Sequence, residues 1–278
     1  MTKSEEATPV FARLRDSIRA EHPVALATVI EGPNLGAKLL IEPDIEAGVS
    51  NVDEVTCTGT LGDEDLDRVV SRDMLGELSA GRTGIRRYGP QGQARSDEVS
   101  VFIESFAPPP QMLIFGAVDF TAALTNVAKF LGYRVTVCDA RPMFATNRRF
   151  PRADVVAVDW PNRLLDEVGH QLGERDAVAV LTHDAKFDIP AITSALETDV
   201  GYIGVMGSRR THDDRTKRLI DAGLTDDDLA RLRSPIGIDL GGRTPEETAI
   251  SIVAEIIALR TGRMVPALKD TEGAIHRS

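Results

Sequence analysis

The rhythm of hydrophobic positions changes at Pro108-Pro109-Pro110. Upstream, Val10, Leu14 and Ile18 recur four apart, which predicts an amphipathic helix over 5–21. Apolar runs at 24–30, 37–41 and 99–103 predict strands, and Leu66, Val69, Val70 and Leu75 share one face of a helix predicted over 63–78. This mixture predicts a small α+β domain over 1–107. Downstream, short continuous apolar runs at 112–116, 134–138, 154–158, 176–181 and 201–206 alternate with helical patterns. Those helices are predicted at 119–131, 162–172, 188–197, 208–222 and 245–260. Runs without polar alternation suit parallel strands covered on both faces. The alternation therefore predicts an α/β fold, a doubly wound parallel, Rossmann-like sheet over 108–262, with a weakly patterned tail at 263–278.

Local signals refine the helix ends. Thr244-Pro245-Glu246-Glu247 has the form of a capping box with proline at the first helical position. Asp226-Asp227-Asp228 after Thr225 reads as an acidic first helical turn. Glu255 reads as the solvent-facing edge of the last helix.

Composition narrows the function classes. A chain of 278 residues with 42% apolar content can build two cores. Its formal charge of −11 speaks against sequence-independent nucleic-acid binding, which needs cations to replace phosphate counterions. Local arginines and helix N-termini can still hold a small anion. No apolar run approaches the length of a membrane span, and residues 1–6 lack the apolar core of a signal peptide, so a cytoplasmic protein is expected. Cys57 and Cys138 are too few for a disulfide framework or a four-thiolate zinc site, and no metal site is expected.

In an open α/β sheet, ligands bind beyond the carboxyl ends of the strands, so the residues following each strand nominate a site. Gly116 and Ala117 follow the first strand of the second domain, but the second and third positions of a G-x-G-x-x-G fingerprint are Val118 and Thr121. Asp119 reads as the cap of the next helix. Asp139, ending the second strand, is placed to hold a ribose hydroxyl or to cap the segment that follows. His183 sits at the end of the fourth strand, where a histidine either meets ligand or bonds its own turn. After the fifth strand, Gly207 and Ser208 precede Arg209 and Arg210, whose guanidiniums suit bidentate contact with phosphate. Gly241, Gly242 and Arg243 precede the last helix. No nucleophile–base pair stands at readable spacing, so no catalytic residue is assigned. An NAD(P)-dependent oxidoreductase using Asp139 stays open on these residues, although the branched Val118 occupies the approach of a pyrophosphate. A docking protein without ligand stays open as well.

Several long motifs carry a resemblance. They begin with 108–117, Pro-Pro-Pro-Gln-Met-Leu-Ile-Phe-Gly-Ala, and 131–142, Leu-Gly-Tyr-Arg-Val-Thr-Val-Cys-Asp-Ala-Arg-Pro. Phe150-Pro151, Trp160-Pro161, 181–186, 202–210, 235–242 and 244–255 follow in order. Over 108–262 the chain resembles the xanthine dehydrogenase accessory family, XdhC/CoxI. The resemblance implies a maturation factor that binds molybdenum cofactor, supports its sulfuration and passes it to a molybdenum hydroxylase apoenzyme of xanthine or carbon monoxide dehydrogenase type. It implies a homodimer too. Many members carry Gly-Ala-Gly-His where this chain has 116–119, Gly-Ala-Val-Asp. Thr60 stands near a cysteine of the family's N-terminal motif, with Cys57 close by but out of register. If Cys138 is buried packing and Cys57 is displaced, a separate cysteine desulfurase is expected to deliver sulfur.

Overall fold

A computed structural model of the chain describes residues 9–43, 55–93, 97–182 and 184–271. The chain divides into two compact units, Met1–Pro109 and Pro110–Ser278.

The first unit is a five-stranded antiparallel sheet with two helices. α1 is Pro9–Arg19, β1 Val24–Glu31, β2 Lys38–Pro43, β3 Val55–Thr60, α2 Glu64–Ala80, β4 Gly84–Tyr88 and β5 Val99–Phe106. The order across the sheet is β3-β2-β1-β5-β4. The predicted strands form its three central members. Edge strands β3 and β4 escape the apolar pattern because they are largely exposed and rich in Thr, Gly and Arg. Leu66, Val70, Met74 and Leu78 line one face of α2 and bury against Ala27, Leu39 and Ile103. Asp63 caps α2 by accepting from the Asp65 and Leu66 amides, and Gly81 ends it in a left-handed conformation.

The second unit is a six-stranded, all-parallel sheet. Its elements are β6 Gln111–Phe115, α3 Asp119–Phe130, β7 Arg134–Cys138, β8 Val155–Ala157 and α4 Pro161–Val168. There follow β9 Ala177–Val180, α5 Ala185–Leu196, β10 Tyr202–Val205, α6 Arg209–Asp221, α7 Asp226–Ala230, β11 Leu232–Arg233 and α8 Pro245–Thr261. The strand order β11-β10-β9-β6-β7-β8 reverses direction between β6 and β9, the switch point beside which ligands of doubly wound sheets bind. On one sheet face α3 packs against α8 around Ile114, Leu124, Val137 and Ile252. On the other, α4, α5 and α6 cover Phe115, Val180 and Val205.

Two expectations need correction. The helix expected over 162–172 ends at Val168, and a single 3₁₀ turn, Gly169–Gln171, completes the segment. Glycine at that point carries the usual helix penalty. Glu255 does not face solvent as expected. Its Oε2 accepts from the Tyr202 hydroxyl at 2.6 Å and from the Gly237 amide at 2.9 Å, pinning α8 to β10 and to the loop after β11.

Candidate functional site

The loop between β6 and α3 is closed upon itself. Gly116 turns with φ of 110°, and a Cβ there would lie 2.7 Å from Thr182 Cγ2 and 3.1 Å from the Thr182 amide nitrogen. Only glycine lets the ends of β6 and β9 pass this closely. The Gly116 amide donates to the Cys138 carbonyl at 2.9 Å. The Ala117 amide donates to Asp139 Oδ2 at 2.8 Å, and the Val118 amide to Thr121 Oγ1 at 3.3 Å. Thr121 Oγ1 in turn donates to the Gly116 carbonyl. Asp119 is not the cap that its sequence context predicts. It is the first residue of α3, with Val118 at the cap position, and its side chain lies 3.8 Å from Arg149 Nη2.

Asp139, nominated for a ribose, is buried and fully engaged. Oδ1 accepts from the Arg141 amide and Nε, both at 2.9 Å, while Oδ2 accepts from Arg141 Nη2 at 2.7 Å besides the Ala117 amide. Burial works to raise its pKa, but these hydrogen bonds outweigh it and hold the carboxyl below the usual carboxylate range. Arg149 completes the closure by donating to the Ala117 carbonyl at 2.9 Å, with its guanidinium 5.6 Å from the Phe144 ring centroid and 5.4 Å from that of Phe150.

The loop between β10 and α6 is the opposite. Ser208 caps α6, its Oγ accepting from the Thr211 amide at 3.2 Å. Arg209 and Arg210 fill the first turn, exposed, and among the described residues neither has an ion-pair partner. The first amides of a helix have no acceptor within it. Helices α2, α3, α5, α7 and α8 each place a carboxylate in that turn; α1, α4 and α6 place none, and α6 alone of these three opens on two arginines.

Beneath this open turn lies a buried ion pair. Arg215 Nη2 meets Asp188 Oδ2 at 2.9 Å and the Met206 carbonyl at 2.9 Å, with side-chain exposures of only 5% and 4% for the pair. Asp188 Oδ1 accepts from the Thr182 hydroxyl, and Arg215 Nη1 reaches Ser234 Oγ at 3.4 Å. The pair therefore joins the carboxyl ends of β9 and β10 to the segment after β11. Sequence reasoning missed both residues, yet the signal was present. Asp188 shares the spacing of Ala191, Ile192 and Ala195 on the buried face of α5, and Arg215 stands four before buried Leu219 on α6.

The structure thus brings Gly116, Ala117 and Asp139 together beside the switch point, while Gly207, Ser208, Arg209 and Arg210 follow β10, on the far side of β9. His183 lies outside the described residues. Arg243 and Thr244 are tied by their amides to Glu247 in the capping box of α8. In the first unit, Thr60 Oγ1 donates to Asp67 Oδ2 at 2.7 Å, and Cys57 is exposed. Cys138 is buried. Burial pushes its thiol up to about 12, and it donates to the Asp159 carbonyl at 3.2 Å. Among the described residues no His, Cys, Asp and Glu cluster suits a metal ion, and no helix is long and apolar enough to cross a membrane.

Comparison with known proteins agrees with this architecture. The model of the XdhC Rossmann domain matches residues 112–256, and that of the XdhC and CoxI family matches 17–89. A Bacillus subtilis protein described as a probable subunit of xanthine dehydrogenase is 35% identical over 161 residues, 58% of this chain and 46% of that protein. The molybdenum cofactor insertion chaperone PaoD of Escherichia coli is 25% identical over 183 residues, 63% of this chain and 50% of that protein. The chain therefore spans about half the length of these curated relatives. A crystal structure of a xanthine dehydrogenase from Bacillus halodurans shares the fold with a TM-score of 0.52 and 22% identity, covering 91% of this chain and 96% of that one. With its Rossmann domain matched over more than half its length, the chain belongs to the XdhC family.

Proposed function

We propose that the protein is an accessory factor for a molybdenum hydroxylase, binding molybdenum cofactor through its anionic end and passing it to the apoenzyme. The observation that carries this reading is the pair of arginines at the start of α6 that have no ion-pair partner among the described residues. Cations at the positive end of a helix dipole are unfavourable by themselves, and an anion there reverses the sign. The donor set fits a phosphate. Ser208, the first amides of α6, and the Arg209 and Arg210 guanidiniums would hold it, while Gly116, Ala117 and the buried Asp139 supply a shaped wall rather than donors. When bound, the cofactor's redox chemistry serves the hydroxylase that receives it. The relatives' names support the same direction, one being that of a xanthine dehydrogenase component and the other that of an insertion chaperone for this cofactor.

The engaged amides after β6 and the occupied Asp139 weigh against the NAD(P)-dependent oxidoreductase, because both groups are spent inside the protein. A ligand-free docking protein would leave the Arg209–Arg210 turn without a counter-charge. Sulfur is expected from a separate cysteine desulfurase, since Cys138 is buried and the exposed Cys57 lies out of register with the family cysteine, near which Thr60 stands. Isolated molybdenum cofactor should bind saturably to the folded protein and transfer to a cofactor-free hydroxylase. Absence of binding, or tight capture of the hydroxylase without cofactor, would replace this reading with the docking one. The homodimer that the resemblance implies is checked by light scattering across working concentrations.

A further inference from the structure

Trp160 is the single tryptophan of the chain, and core packing does not account for its place. It is 38% exposed, whereas its neighbour Phe187 is buried at 7%, and neither belongs to the apolar clusters on the two sheet faces. The two rings meet all the same, with centroids 4.8 Å apart and planes tilted by 41°. Trp160 stands at the cap of α4, just past β8, and Phe187 in the first turn of α5, past β9. In the sheet those strands are separated by β6 and β7, a gap of about 14 Å at ordinary strand spacing. The aromatic pair therefore forms where α4 and α5 lean together at the carboxyl edge of the sheet.

Charged and polar groups border the rings. Lys186 Nζ lies 4.8 Å from the Phe187 centroid and 3.6 Å from Asp184 Oδ2. Arg141, anchored on Asp139, lies close enough to Asp184 to feel its charge. The Trp160 backbone amide is held by Asp159 Oδ1 at 2.7 Å, which fixes the residue at the start of α4. The part-exposed Trp160 ring, with a carboxylate and an ammonium at its rim, suits a flat ring carrying donors and acceptors on its edge.

We propose that Trp160, backed by the buried Phe187 ring, forms a stacking platform for a planar heterocycle, a pterin or a nucleobase, with Asp184 and Lys186 at its edge. This deepens the cofactor-binding reading and rests on it only in assigning the ring to the same ligand as the anion.

The test is titration of the full chain with free pterin, adenosine and inorganic pyrophosphate, followed by tryptophan emission and by calorimetry. Trp160 is the only source of that emission. Pterin or adenosine should quench it saturably, and the tighter of the two names the source of the ring. Pyrophosphate should give heat without quenching. Trp160→Leu should weaken the ring probe roughly tenfold, as loss of a stacking side chain does, and leave pyrophosphate unchanged. Phe187→Leu should weaken it in the same sense while Trp160 still reports. The proposal is overturned if neither ring probe quenches up to its solubility limit, or if Trp160→Leu binds the ring as tightly as the natural chain. Ring quenching without pyrophosphate binding would sink the anion site and leave the platform standing.

Discussion

The strand-to-helix turns after β6 and β10, on either side of β9 in the sheet, are built from similar parts and end in opposite states. Both leave a strand through glycine and enter a helix, Gly116 into α3 and Gly207 into α6. After β6, the three amides of Gly116, Ala117 and Val118 are bonded to groups of the protein, and Asp139 and Arg149 lock the turn from outside. After β10, the helix opens with two arginines that have no ion-pair partner among the described residues. A nucleotide-binding scaffold does not fix which of its turns receives the anion. In the proposed reading it goes to the turn whose donors remain unspent.

The comparison breaks most visibly at the buried pair beneath the open turn. Asp188→Ala leaves Arg215 charged and unpaired in the interior, and should cost about 3–5 kcal/mol of stability, read by denaturant unfolding. Replacing both residues, Asp188→Leu with Arg215→Met, should recover most of that loss, because a buried pair exchanged for apolar packing is close to neutral. If the double variant unfolds as readily as Asp188→Ala, the pair is not the source of the effect.

Smaller in stability, larger in function, is the effect of the arginines. Arg209→Ala and Arg210→Ala should leave unfolding unchanged within experimental error. Each should cost about 1.5–3 kcal/mol of phosphate affinity, the usual worth of a charge-assisted hydrogen bond. A parallel loss of stability and binding would mark them as structural.

The closed turn has a pH signature. The carboxyl of Asp139 is depressed in the folded protein, so its contribution is fully present above the unfolded value of about 3.9 and is lost as pH falls through the folded one. Asp139→Asn should therefore flatten the acid limb of the stability profile and leave neutral-pH anion binding intact. An unchanged acid limb would show that Arg141 and Asp139 are not coupled as the geometry requires.

The least effect is expected from the cysteines. Cys57 should alkylate readily and Cys138 hardly at all at neutral pH, because burial keeps the Cys138 thiol protonated. Cys57→Ser should keep ligand binding and most maturation activity. Loss of activity with binding intact would show that Cys57 handles sulfur.

Much of this architecture was legible in the sequence, for a physical reason. Central strands buried on both faces are continuous apolar runs, and β6, β7, β9 and β10 fall within one or two residues of where those runs lie. Strands β3, β4 and β11 were not legible, being exposed edges or only two residues long. The site was legible only as a set of loops. Nothing in Gly116-Ala117-Val118 announces that its amides are already bonded, since the acceptors come from Asp139 and Thr121 after folding. Nor does Asp139 announce that Arg141, two residues on, will claim both its oxygens. Asp188 and Arg215 were readable as charges on apolar faces, but their pairing joins two helices and needs the tertiary structure.

The most direct test of the central claim is the affinity of isolated molybdenum cofactor for the natural chain and for the Arg209→Ala, Arg210→Ala double variant, measured on folded samples. Saturable binding to the natural chain that the double variant loses, with unfolding unchanged, is the result this account predicts. Equal affinity in both would place the anion elsewhere and contradict it.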